Sequence, residues 1–418
     1  MSQIILSINA GSSSVKVSVY TFSAADPKPK SIASVSLSGL TSPPTKLTSG
    51  KDTKTLENIS TPNEAFSAIL SHLTSDSSLP QLKNPSDISF ACHRIVHGGG
   101  YSAPTRIDAD TYHHLEALSD LAPLHNAGAL EIVKAVHASI PKCTNVAFFD
   151  SAFHSTIPEP VRTYMIDPAK AKKTGLRKYG FHGLSYAFIT RAVAAHLQKP
   201  VEETNLIALH LGSGASCCAI KNGKSIDTTM GLTPLSGLPG ATRSGDVDPS
   251  LIFHFTHDAS KPSPGSSEAM HVTQAEMILN KESGWKALTG TTDFGEVSKR
   301  AEQGDDMAKL AFEIFVDRVV GFVGSYYVKL GGKADALVFA GGIGEKGVGF
   351  RNSVVERVGS LGFSIDRKAN EQLEDGEVVD IGSQTERDRR VLVCQTDEQT
   401  EMARQCAEDA ESLRRPAS

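Results

Sequence analysis

The chain reads as an α/β protein made of two related halves, each a mixed sheet flanked by helices. Apolar strand patterns alternate with helical ones along the whole length. At 418 residues there is enough chain to bury more than one core. An internal echo ties the two halves together. The stretch "IILSINAGSSSVKVSVY" near the start and "NLIALHLGSGASCCAIKNGK" over residues 205–224 share one plan: apolar strand, small-residue loop, second strand.

Taken in order, the first hairpin joins its strands through Gly11, Ser12, Ser13 and Ser14, with Lys16 just beyond. Residues without bulk leave backbone N–H groups open, and successive N–H groups in a tight turn form a concave anion site. Residues 23–62 are rich in Ser, Thr, Pro and Lys and read as exposed strand and loop, with weak strand patterning at Ile32–Leu37. "NVAFFD" is a strand ending in Asp150. The second hairpin turns through Gly212, Ser213, Gly214, Ala215 and Ser216, and its outer strand ends at an Asn-Gly turn. Residues 257–270, "HDASKPSPGSSEAM", read as a surface excursion. Ala308–Leu330 carries Leu310, Ala311, Ile314, Phe315, Val319, Phe322, Val323 and Tyr326 at helical spacing, a stripe for core packing.

The stretch "ALVFAGGIGEKG" follows a strand pattern, and Gly342, Gly344 and Gly347 formally match a dinucleotide fingerprint. Such a fingerprint ordinarily opens its domain, whereas this one sits late, behind two other anion-type loops. It reads instead as a turn against which a nucleoside lies. No P-loop pattern occurs.

Charge and composition exclude other classes. A net charge of −5 argues against a nucleic-acid partner, which requires a basic surface. Six cysteines without C-x-x-C spacing point to reduced, buried thiols. With no run of about 18 apolar residues and no basic-then-apolar leader, no membrane partner and a cytoplasmic location are expected.

Four stretches hold the candidate chemistry: "ACHRIVHGGG" with Arg94, "NVAFFDSAFH" with Asp150, "RKYGFHGLS" with His182, and "LSGLPGATRSGDVDP" with Arg243. Each alone has an ordinary structural reading as a turn, cap or salt-bridged residue. Together they supply cations for phosphoryl oxygens, a carboxylate and anion-binding loops, the parts of a phosphoryl-transfer site.

Eight motifs in order, "NAGSSSVK", "HRIVHGG", "LAPLHN", "FFDSAFH", "KYGFHG", "HLGSG", "GLTPLSG" and "GGIGE", resemble acetate kinase, over Ile5 to Ala407. The resemblance implies two duplicated actin-like (ribonuclease H-like) domains with a nucleotide cleft between them. The expected boundaries are 1–150 plus 399–418 for one domain and 151–398 for the other, in a homodimer. It implies Mg2+ (or Mn2+) as cofactor, held by Asn9 and Glu398. Lys16 and Ser12 would face the phosphates of ATP or ADP, cradled by His210, Leu211, Gly212, Ser213 and Gly214. Asp293, Phe294, Gly342, Ile343, Gly344 and Glu345 would border the nucleoside. Arg94 would bind acetate or acetyl phosphate, and Val96, Leu124, Phe181 and Pro234 would enclose its methyl group. His182 and Arg243 would stabilise the transition state, with His125 nearby and Asp150 as catalytic carboxylate.

A carboxylate substrate is already ionised at neutral pH, since such groups titrate near pH 4 to 5. Its difficulty is repulsion from an anionic phosphoryl group, so cations matter more than a general base. Asp150 is then expected to orient metal, water or an arginine. The chain departs from the family pattern at Ser213, Leu184, Tyr186, Gly295 and Asp397. Because Ser213, Gly295 and Lys346 lie along the donor side, pyrophosphate or phosphate as phosphoryl partner stands as an alternative to ATP and ADP. A non-catalytic, nucleotide-gated protein of the same superfamily is a third reading. It leaves Arg94, Asp150, His182 and Arg243 without a purpose.

Overall fold

The computed structural model describes residues 2–11, 13–118, 123–255, 261–263, 266, 272–383 and 389–415, with backbone alone at 123–125 and 254–255. The chain forms two compact units, Met1–Ala152 with Asp397–Ser418, and Phe153–Thr396.

The first unit is built on an eight-stranded sheet of β1 (Gln3–Ala10), β2 (Ser14–Ser23), β3 (Asp26–Ser38), β4 (Thr45–Ser49), β5 (Asp52–Leu56), β6 (Ile88–Ile95), β7 (Thr105–Arg106) and β8 (Thr144–Phe149), in the order β5-β4-β3-β2-β1-β6-β8-β7. β1 to β5 form an antiparallel meander, while β6 lies parallel to β1 and β8 parallel to β6. Residues 23–62 are therefore more regular than their composition suggests. They supply three strands at the sheet edge, including β5, whose side chains are nearly all exposed and which is held by its backbone ladder.

The helix Pro62–Ser75 starts at a capping box, in which Thr61 and Glu64 satisfy each other's backbone N–H groups, and buries Phe66, Ile69 and Leu73. The C-terminal helix Glu398–Glu408 returns to this sheet. Its buried Gln399 donates from Nε2 to the Ser7 carbonyl at 2.8 Å, while its own carbonyl accepts from Ser7 Oγ at 2.9 Å. Ser18 Oγ donates to Gln399 Oε1 at 3.1 Å. A buried amide with this many partners fixes the helix's depth and register, because any slip would strand polar groups in the core.

The second unit repeats the plan. β9 (Leu206–Leu211), β10 (Ala215–Lys221), β11 (Lys224–Thr228), β12 (Ala336–Ala340), β13 (Val378–Asp380) and β14 (Arg390–Cys394) are ordered β11-β10-β9-β12-β14-β13. β9 to β11 are antiparallel, and β12 lies parallel to both β9 and β14. In both sheets the first strand is central, with its hairpin partner on one side and a parallel strand on the other. This is the internal echo of the sequence seen in three dimensions.

The long helix Asp306–Lys329 begins at an Asp305 cap and buries Ala311, Phe315, Val319, Val323 and Tyr326 against the sheet. Leu310, counted in the sequence stripe, points outward instead. "GGIGEK" is not a turn but a short helix, Gly341–Lys346, directly after β12. All six cysteines are buried and unpaired. No described helix is long and apolar enough to cross a membrane. Most of the 257–270 stretch lies outside the described residues.

Candidate active site

In the first unit, parallel strands deliver polar residues to one end of the sheet. Asn9 is near the end of β1, Arg94 is the penultimate residue of β6, and Asp150 follows β8. Glu398 opens the C-terminal helix, whose Asp397 cap accepts from the Gln399 and Thr400 N–H groups. Arg94 donates to both Asp150 oxygens, from Nε at 3.0 Å and Nη2 at 2.7 Å. Its Nη1 reaches Asn9 Oδ1 at 3.3 Å and lies 3.8 Å from Glu398 Oε2. Asn9 Nδ2 in turn donates to Glu398 Oε2 at 3.4 Å. Only 18% of the Arg94 side chain is exposed. Burial works against its charge, but Asp150 and Glu398 outweigh it and hold the guanidinium well above its ordinary pKa. The forked pair fixes the plane of Arg94, which leaves Nη1 directed toward Asn9 and Glu398.

Lys16, on β2 opposite Asn9, is exposed beside the hairpin loop, which closes with Gly11 N–H donating to the Ser14 carbonyl at 2.9 Å. Val96 follows β6 and is half-buried. Ser12 and the side chains of Leu124 and His125 lie outside the described residues.

Asn9 and Glu398 also have the chemistry of a magnesium site. They offer hard oxygen donors, and their mutual contacts are long enough to yield. Among the described residues no group of three or more His, Cys, Asp or Glu could cage a metal. Magnesium typically uses one or two protein oxygens and completes its shell with water and phosphate, and Asn9 and Glu398 supply two such oxygens. The residues fit the ion.

In the second unit, His182 sits at the N-terminal end of the helix Gly183–His196, in the left-handed region with φ 61°. Its Nδ1 is 2.8 Å from Ser216 Oγ on β10, and its ring lies 4.2 Å from the His210 ring on β9, centre to centre. His210 Nδ1 is held at 2.7 Å by Ser185 Oγ, which also meets Thr396 Oγ1 at 2.8 Å. The hairpin closes through the Gly212 N–H donating to the Gly214 carbonyl at 3.1 Å. A Cβ placed on Gly214 would stand 2.8 Å from Arg243 Nη1 and 3.7 Å from His182 Nε2. The loop, the imidazole and the guanidinium therefore converge on one spot, and glycine is what lets them do so.

Beside this spot opens a cavity of about 650 Å³, lined by Gly212, Ser213, Asp293, Phe294, Gly342 and Ile343 among others. Lys299, Lys346 and Glu302 join Asp293 in supplying its charge, and Gly295 and Phe350 more of its wall. Phe294 is only 5% exposed and belongs to an aromatic cluster with Trp285, Phe315 and Phe350. It contributes a firm wall, not a loose stacking platform. Asp293 caps the helix Phe294–Glu302 by accepting from the Gly295 N–H at 2.8 Å.

Leu211 points into the core. Gly344 packs against Phe339, and Glu345 Oε1 accepts from the Gly341 N–H at 3.1 Å. These three shape the backbone near the cavity and are not among the residues lining it. Phe181 and Pro234 are buried, and the Phe181 carbonyl is 2.9 Å from His154 Nε2.

Two supports escaped the sequence reading. Gly341, at φ 75°, lies so close to the hairpin that a Cβ would come 2.7 Å from the Leu211 carbonyl oxygen. Arg351, fully buried, donates from Nη1 to the Gly344 and Glu345 carbonyls, both at 2.8 Å. A guanidinium there satisfies the terminal carbonyls of the short helix and pins "GGIGEK" in place. A lone arginine in a helical pattern carries no signal of that role.

Paired sheets of common plan, each with a glycine-serine hairpin beside cations, define a phosphotransferase on the duplicated actin-like fold. A sequence model of the Acetokinase family matches residues 4–404. A probable acetate kinase of Emericella nidulans is 52% identical over 410 residues, covering 96% of this chain and 97% of the relative. Among solved structures, a propionate kinase from Francisella tularensis superposes with a TM-score of 0.83 at 35% identity, covering 96% of this chain and 98% of that one. Porphyromonas gingivalis acetate kinase superposes with a TM-score of 0.82 at 31% identity, covering 99% and 100%. The chain belongs to the acetokinase family and is a kinase.

Proposed function

We propose that the protein is an acetate kinase, transferring the γ-phosphoryl group of ATP reversibly to acetate by direct in-line displacement, giving acetyl phosphate and ADP. The observation that carries this reading is Arg94. Its guanidinium is held flat by Asp150 and presented beside Asn9 and Glu398, a placement suited to one small carboxylate near phosphate oxygens.

Acetate needs no base, so Asp150 acts by orienting Arg94. His182 and Arg243, gathered at Gly214, would meet the charge on the transferring group. Asn9 and Glu398 would hold magnesium, which when bound neutralises phosphate oxygens. The cavity of about 650 Å³ supports a nucleotide as donor over pyrophosphate, because it offers room and apolar wall that a small dianion does not require. Cytoplasmic location and a homodimer remain part of this proposal.

Hydroxamate trapping of acetyl phosphate from acetate, ATP and magnesium tests the reading directly. Acetyl phosphate should be consumed with ADP as acceptor and hardly at all with inorganic phosphate; the reverse preference would move the donor to pyrophosphate. We further propose that the acyl substrate is short, with Val96, Leu124, Phe181 and Pro234 as the residues that the family resemblance assigns to its methyl group. Each added methylene gains only about 0.8 kcal/mol and needs space. Propionate should be used poorly and butyrate worse, and equal kcat/KM for acetate and butyrate would refute that preference.

A further inference from the structure

We propose that the buried hydroxyls of Tyr186 and Ser216 fix the His182 imidazole in its neutral form with the proton on Nε2, so that both act as positioning residues for phosphoryl transfer. The inference rests on the function proposed above for its catalytic consequence, and on geometry alone for the hydrogen bonds.

Tyr186 and Ser216 are both fully buried. The phenol oxygen is 2.6 Å from Ser216 Oγ, and that oxygen is 2.8 Å from His182 Nδ1. The phenol also accepts from the His210 backbone N–H, and burial pushes its pKa well above the ordinary value, so it keeps its proton. A phenol has one proton to give, and since its other described partner, the His210 N–H, is itself a donor, that proton goes to Ser216 Oγ. The serine hydroxyl also has one proton, and its other partner among the described residues is Nδ1. Nδ1 must therefore accept, and the ring proton must reside on Nε2.

Nε2 is the nitrogen that lies 3.7 Å from where a Gly214 Cβ would stand, next to Arg243 Nη1. Among the described contacts, the groups facing the ring include Arg243 from the 229–250 loop, His210 from β9, Ser216 from β10 and Tyr186 from its own helix. None of these favours an imidazolium. A proton on Nδ1 would oppose the proton offered by Ser216, and a charged ring would stand beside a guanidinium. The relay thus gives the site a hydrogen-bond donor of fixed direction and leaves the positive charge to Arg243.

The test uses the full chain labelled with 15N-histidine, with the His182 signals assigned by their loss in His182→Gln. Long-range 1H–15N spectra of the wild type should show Nε2 protonated and Nδ1 bare. Tyr186→Phe should show mixed tautomers and a kcat lowered about 10-fold with acetate KM unchanged, less than the 100-fold or more expected when a donor itself is lost. Ser216→Thr, which keeps the hydroxyl, should retain the wild-type spectrum. A protonated Nδ1 in the wild type would overturn the inference even if Tyr186→Phe failed to fold. So would an unchanged tautomer and kcat in Tyr186→Phe. The expected tautomer in a protein without acetate-dependent ATP turnover would support the relay and overturn the proposed function instead.

Discussion

The two units carry related hairpins but surround them differently. Beside Gly11–Ser14 stands an ion-paired network, where Arg94 is clamped by Asp150 and approached by Glu398. Beside Gly212–Gly214 stand histidines held by neutral hydroxyls, with Arg243 close to the loop. The first arrangement gains direction from charge pairing, so removing one member leaves others uncompensated. The second gains direction from hydrogen bonds to neutral hydroxyls, so each loss is smaller and more local. A duplicated scaffold can thus carry two different kinds of polar site, one built on ion pairs and one on hydroxyl–imidazole hydrogen bonds.

The largest effect should follow from breaking the charged side. Arg94→Ala removes the acetate ligand proposed above and takes the shared guanidinium from Asp150 and Glu398, and kcat/KM should fall about 1000-fold. Arg94→Lys keeps a charge without the fork and should recover only a small part. Steady-state kinetics on both variants decide the matter; near wild-type activity in Arg94→Lys would show that the fork is dispensable. Asp150→Asn should depress kcat across the whole pH range, and a loss confined to one side of a single titration would mark Asp150 as a general base.

On the neutral side, Gly214→Ala places a methyl group 2.8 Å from Arg243 Nη1. The guanidinium must move, and kcat should fall about 100-fold. Binding of the nucleotide, read by calorimetry, should change much less, because the cavity wall near Phe350 is untouched. Equal losses in kcat and nucleotide affinity would mean that the loop itself had collapsed.

Acid should affect both units alike, which sharpens the contrast by showing what they share. His93 in the first unit is buried, and burial pulls its pKa down to about 4 against the opposing hydrogen bond with Asn145. His154 in the second unit is likewise buried and lowered to about 4, with Ser225 and the Phe181 carbonyl as partners. An unfolded histidine takes up a proton near pH 6.5, whereas these stay neutral while folded. The unfolded chain therefore binds more protons below that pH, and stability is lost as pH falls from 6.5 toward 4. At pH 5 the cost is about 2 kcal/mol per histidine. Urea unfolding at pH 7 and pH 5 measures it, and His93→Gln or His154→Gln should flatten the slope. A midpoint independent of pH over that range would refute both assignments.

Arg94, Asp150 and Arg243 were legible because each interrupts an apolar run or a glycine-rich loop, where a charged residue is conspicuous. The hairpins were legible because they occur twice. Arg351, Gln399 and the Tyr186–Ser216 pair were not, since their meaning lies in partners far along the chain, such as Ser7 for Gln399. β4 and β5 were obscured for another reason. Segments such as "DTKTL" bury almost nothing, so no apolar alternation betrays a strand held by its backbone ladder. "GGIGEK" misleads in the opposite sense, because three glycines suggest a turn where Arg351 stabilises a helix.

The smallest effect belongs to the cavity, and it separates binding from chemistry within the second unit. Lys346 is exposed on the cavity wall, at the end of the helix that Arg351 pins. A lysine on a solvated rim attracts a phosphate chain with little directional demand, so Lys346→Ala should raise the KM for ATP about 5-fold and leave kcat unchanged. Lys299→Ala should behave similarly, and the two together should multiply if each acts independently through water. Rising salt should shrink both effects, as it does for exposed charges in general. If Lys346→Ala lowered kcat with KM unchanged, the cation would be acting on the transferring group itself. The division between an ion-paired first unit and a neutral, histidine-based second unit would then need redrawing around a second cation.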